Sequence, residues 1–135
     1  MASFHDLNIA SKANAGIEVA VVIPSADTNE GIPTGDVLTV LSIFSERFRK
    51  AESEGYRRIR ESLKATEDKD QKISQSVYEE VALDSIAQLV SDWSYDEPCT
   101  IENVKEFLSA NPHMYDLINR LAADHAVFFG NAATS

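Results

Sequence analysis

The groups with which this chain could do chemistry are three histidines, one cysteine and 22 carboxylates. A zinc site needs donors at short spacings such as HxxxH or CxxC, because tetrahedral ligands must converge within bonding distance. His5, His113 and His125 show no such spacing, and Cys99 has no CxxC partner. Cys99 with His113 or His125 would make a thiol and a base, but a lone cysteine beside a helix start reads as a small apolar side chain. The five glycines are scattered, and neither GxGxxG nor a P-loop pattern occurs, so no loop is built to cradle phosphate. The sequence predicts no catalytic, metal-binding or cofactor-binding residue, and no enzyme.

What remains is aromatic. Trp93 and Tyr95 stand beside Asp96, Glu97 and Pro98, and Phe128 and Phe129 close the last apolar stretch. Trp and Tyr supply much of the binding energy at protein interfaces. Adjacent helical residues cannot both face fully inward, so one of Phe128 and Phe129 is left for a partner or for solvent. Trp93, Tyr95, Phe128 and Phe129 are therefore the candidate partner-binding residues. For the first two, the other reading is that they staple a turn to the core. His125, on the inward side of the last predicted helix, reads as a core or interface histidine.

The elements that must position these side chains follow from periodicity. Gly16 to Pro24 alternates apolar residues at Ile17, Val19, Val21 and Ile23, which predicts a strand ended by proline. SADTNEGIPTGD collects turn formers, and Asp36 to Phe44 is again β-branched and apolar on both sides. A hairpin of two such strands is marginal in water, so it must pack on helices or gain strands. Ser45 can cap a helix from 46 to about 64, with Phe48, Ala51, Tyr56, Ile59 and Leu63 inward and an Arg-rich outer face. Residues 65–72 read as a polar link. Ile73 to Trp93 keeps helical spacing and is predicted as the central helix.

Pro98 breaks that pattern, and Thr100 can cap a helix through Ala110. Asn111 and Pro112 start the last helix, predicted to run to about Phe129 with Tyr115, Ile118, Leu121, Ala122 and Phe128 inward, and Gly130 ends it. The expectation is a single α+β domain over 1–135: an N-terminal arm and β-hairpin in 1–44, about four helices in 45–129, and a mobile tail in 130–135.

Twelve basic against 22 acidic residues leave a net charge of −10, which repels phosphate backbones and anionic lipid. Nucleic acid and membrane are thus poor partners. Residues 45–72 hold nine of the basic residues, whereas 73–135 hold ten acids and two bases. The longest apolar run, IEVAVVI, is far short of a membrane span. An unpaired cysteine and an N-terminus without a signal-peptide pattern predict a reducing cytoplasm.

The order of features resembles the tail assembly chaperones of long-tailed bacteriophages. The resemblance rests on the hairpin, a helix opening SERFRKA, a helix ending VSDWSYDEPCT, the run TIENVKEFLSANPHMYDLI and the close AADHAVFF. Its most specific part is Trp93 through Leu108: a tryptophan, an acidic loop, a Ser/Thr cap, the pair Glu102-Asn103 and a Phe/Leu-rich end before a proline-started helix. The resemblance implies a non-enzymatic protein of the host cell cytoplasm that binds the tape measure protein during virion morphogenesis, with the tail tube protein as a second candidate partner. It implies no cofactor. A homo-oligomer is a further possible association. The alternatives are a small structural tail or neck component, or an acidic inhibitor of a host protein whose carboxylates imitate phosphates.

Overall fold

The computed structural model describes residues 8–27, 31–65 and 72–130. Six helices and three strands follow in the order α1 (Ile9–Ala15), β1 (Ile17–Ile23), β2 (Ile32–Val40), α2 (Glu46–Ala65), α3 (Lys72–Ala87), β3 (Val90–Trp93), α4 (Ile101–Ala110), α5 (Pro112–Ala122) and α6 (His125–Phe129). The fold is α+β, with the antiparallel hairpin at the N-terminal side and helices after it.

The hairpin gains a third strand from its own chain, in the order β1-β2-β3. Val19 pairs with Leu38 and Ile17 with Val40, while Leu38 also opposes Trp93 and Val40 opposes Val90. These residues share one face, and Val19, Leu38, Val40 and Val90 are buried on it. Against them pack Ile86, Ala87 and Leu89 from the end of α3, Val104 and Leu108 from α4, and Met114, Ile118 and Ala122 from α5. The opposite face carries exposed Glu18, Ala20 and Asp92 with half-buried Thr39, a mixture that tolerates water.

Three predicted elements change, and one helix was not predicted. The central helix, expected over 73–93, ends at Ala87, and its last residues become β3. Ile86, Leu89, Val90 and Trp93 fit helical spacing, but the open edge of β2 offers Val90–Trp93 a ladder, and pairing wins over periodicity. The second strand, expected over 36–44, lies at Ile32–Val40. Beyond it the backbone leaves the sheet to meet other elements: the Leu41 amide donates to Leu89, Ser42 to Ala13 and Ile43 to Ala122.

The arm before the hairpin contains α1, capped by the Asn8 side chain, which accepts from the Ser11 amide at 2.9 Å. The helix ends at Gly16, whose φ of +76° suits glycine. The last helix splits in two at Ala123–Asp124, because the Asp124 carboxylate accepts from the Ala126 and Val127 amides and starts α6. Residues 66–71 of the predicted link and 131–135 of the predicted tail lie outside the described residues.

Two of the caps read from sequence are in place; the third, Asn111, makes no cap bond, its side-chain amide donating instead to the Phe107 carbonyl at 2.9 Å. Ser45 Oγ accepts from the Phe48 amide at 3.3 Å, Thr100 Oγ1 from the Asn103 amide at 3.2 Å, and Pro112 opens α5. None of the described helices is long and apolar enough to cross a membrane.

Candidate functional site

Asparagine at 103 closes the loop that shapes the site. Its side-chain amide donates to the Pro98 carbonyl at 2.9 Å, two residues before the Thr100 cap that starts α4. The indole N–H of Trp93 donates to the Glu97 carbonyl at 2.7 Å. These two bonds hold the C-terminal end of the acidic turn Ser94–Pro98. Ser94 ties it to the sheet, donating through Oγ to Asp36 Oδ1 at 3.0 Å and accepting from the Val37 amide at 3.0 Å.

On this frame Trp93, Tyr95 and Phe107 pack as an aromatic triad. Trp93 meets Tyr95 edge-on, at 5.4 Å between centroids and 87° between planes. It lies 5.9 Å from Phe107, and Tyr95 lies 5.7 Å from Phe107. All three are half-buried against the core. Burial, helped by the nearby charges of Asp36 and Glu97, pushes the Tyr95 hydroxyl above its ordinary value, so it stays a donor. Trp93 and Tyr95 thus staple the turn to the core and still keep surface for a ligand.

That surface is one wall of a cleft of about 540 Å³, within the range of ligand pockets, a few hundred to about 1,000 Å³. The facing wall is Val21 to Pro24 at the far end of β1, and the floor is closed by Ala110 and His113. The hairpin reaches over the cleft because pairing jumps from Ala20–Val37 to Val22–Pro33, leaving three residues of β2 opposite Val21. Gly35, with φ +95°, makes this bulge possible, and Thr34 Oγ1 donates to the Val21 carbonyl at 3.0 Å. His113 Nε2 lies 2.7 Å from the Val22 carbonyl and ties the start of α5 to β1. Ile23 and Ile32 cap the hairpin end with 56% and 55% exposure, and Glu97 and Glu106 add carboxylates to the lining.

Phe128 and Phe129 are elsewhere. Phe129 packs near Phe44 and His125, with centroids 6.1 and 6.2 Å away, and Phe128 lies 5.8 Å from Phe129. Among the described residues no ring contact joins this cluster to the Trp93 triad, so the four expected anchors form two groups. His125, expected to face inward, is exposed and stacks on Phe44 at 4.8 Å. The break at Asp124 turned it outward. Phe107, Ile23 and His113 were not expected at the site. Only the i, i+4 spacing of Asn103 and Phe107, one helical turn apart in the run that follows Trp93, pointed to Phe107.

Cys99 Sγ sits 3.9 Å from the Val90 carbonyl. Burial and the Asp92 charge push its thiol up, away from the thiolate that nucleophilic chemistry requires. Among the described residues no three His, Cys, Asp or Glu side chains gather as metal ligands. No protein-family model, no curated protein and no solved structure matches the chain.

Proposed function

We propose that this protein is a non-enzymatic assembly chaperone of a bacteriophage tail, and that its cleft receives an apolar stripe of the tape measure protein. One observation carries this: Trp93, Tyr95 and Phe107 form a single aromatic wall on an open, largely apolar cleft beside two isoleucines that are more than half exposed. A surface of this kind takes the apolar face of an amphipathic helix, whose anchors recur at i, i+3, i+4 and i+7.

The stretch that carries the resemblance to tail assembly chaperones, Trp93 through Leu108, is the stretch that supplies this wall and its latch Asn103. A client threaded with apolar stripes needs shielding before tube subunits cover it, and a carrier of charge −10 keeps loaded complexes apart by repulsion. Glu97 and Glu106 add acidic character at the cleft, which favours a client segment with basic residues beside its apolar stripe.

Co-expression with the tape measure protein of the same phage tests the proposal. The client is expected in the soluble fraction with the wild-type chain and in the pellet with Ala110→Glu, which sets a charge in the cleft at an exposed helix end. A client equally insoluble with either chain would overturn it.

A further inference from the structure

We propose that the protein forms a homodimer in which the α2–α3 arms of two copies stack face to face, α2 of one over α3 of the other, as a four-helix bundle. This goes beyond the client cleft and uses none of its residues.

The arm stands away from the core. Among the described residues the core takes only Phe48 from α2 and only Leu83, Ile86 and Ala87 from the end of α3. The distal part is two helices packed on each other. Gly55 allows close approach, since a Cβ there would lie 2.5 Å from Val81 Cγ1, and Ile59 packs beside Val77.

The two faces of this arm differ. On one, Arg58 bridges Glu80 at 3.1 Å and also Asp84, and Lys105 of α4 reaches Asp84 at 2.6 Å. On the other, Tyr56 and Leu63, expected to face inward, are 58% and 47% exposed, and Tyr78 is 48% exposed. Leu63 and Tyr78 border the same small cavity. Tyr56 is two turns before Leu63, so at about 100° per residue it lies on the same side. A single layer of two helices with apolar residues on its outer face is half of a bundle, because such stripes are stable when a second layer covers them.

Charge says what covers this one. α2 holds seven basic and four acidic residues, a surplus of three positive charges; α3 holds one basic and three acidic, a surplus of two negative. A two-fold axis along the arm lays the basic helix of each copy on the acidic helix of the other. Arg60 and Glu79 are both exposed and make no ion pair among the described residues. Since Gly55 lies level with Val81 and Ile59 with Val77, these two charges fall within one helical turn of each other along the axis. The two-fold stacking therefore brings Arg60 of one copy to Glu79 of the other, twice.

Sedimentation equilibrium of the full chain is expected to give twice the 14.9 kDa chain mass. Tyr56→Ser with Tyr78→Ser is expected to weaken association at least about tenfold, with far-UV circular dichroism checking that the helices persist. Arg60→Glu and Glu79→Arg, both on the surface, are each expected to weaken the dimer, and the double exchange to restore it. A wild-type chain that stays monomeric overturns the proposal, as does a dimer indifferent to these changes or one that the double exchange fails to restore. A monomeric variant that still binds the client leaves the cleft reading intact, so the two proposals fail separately.

Discussion

The indole N–H of Trp93 reaches the Glu97 carbonyl at 2.7 Å, and that bond sets the plane in which the ring meets Tyr95 and Phe107. Trp93 is thus a structural member of the turn and the main wall of the cleft. Trp93→Ala is expected to cost about 3 kcal/mol, the lower end for a large aromatic because the ring is only half-buried. Trp93→Phe keeps most of the packing and loses one hydrogen bond, which costs about 1 kcal/mol. Urea denaturation of the two variants checks the ranking, and a wild-type midpoint for Trp93→Ala would remove the ring from the fold's support.

Gly55→Ala sets two effects against each other. Alanine is the better helix former by about 1 kcal/mol, but its methyl would meet Val81 Cγ1 at 2.5 Å with Ser85 Oγ beyond. Val81 is β-branched and stiff, so relief requires the helices to part, and overpacking of this kind costs about 1–3 kcal/mol. Net destabilisation is expected in thermal melts. A raised midpoint would mean that the arm is looser than its geometry.

Burial works against the charge on Asp84, yet hydrogen bonds from Lys105 and Arg58, and their positive charge, outweigh it and hold the carboxyl below its ordinary range. A carboxyl depressed in the folded state stabilises above its unfolded value, and that stability is lost as pH falls through the folded one. Asp84→Asn is therefore expected to lower the melting temperature at pH 7 by the equivalent of roughly 1 kcal/mol, a figure reduced for partial solvent exposure. The difference should vanish on acidification below the carboxylate range. A gap that persists there would assign the cost to packing.

The first strand of the hairpin and two residues of the cleft wall, Trp93 and Tyr95, were legible in the residues, for physical reasons that differ from place to place. Ile17 to Ile23 alternates, and alternation has one meaning. Thr100 and Pro112 mark helix starts because their chemistry suits a free N-terminal turn. By contrast, Val90 to Trp93 carries apolar residues at spacings that serve a helix as well as a strand, and only the open edge of β2 decides between them. The run Leu41–Phe44 looked like more strand, yet the amides of Leu41, Ser42 and Ile43 are used by the turn before β3, α1 and α5, and that of Phe44 by the Ser42 hydroxyl. α1 was missed because IASKANA has almost no apolar stripe, and its buried Ala13 is too small to announce a face.

Asn103 illustrates the same limit within the site. Its cap partner Thr100 was readable, but the bond from its side chain to Pro98 depends on how the acidic turn folds back. A turn without that latch would let Tyr95 swing from Phe107. Asn103→Ala is expected to cost about 1 kcal/mol and to speed amide exchange across Ser94–Pro98, measured by hydrogen exchange. Unchanged exchange there would mean that the Trp93 bond alone holds the turn.

Trp93 is the sole tryptophan in the chain, so its fluorescence reports on the cleft alone and gives the most direct test of client binding. Titration with tryptophan-free helical segments of the tape measure protein is expected to shift the emission to the blue as the indole loses water. Ala110→Glu should weaken the same titration at least about tenfold, equivalent to about 1.4 kcal/mol, while raising salt weakens it only in part, since desolvated apolar contacts resist screening. Segments that bind with no change in Trp93 emission and equal affinity for Ala110→Glu, or no binding by any segment, would contradict the assignment of this cleft to the client.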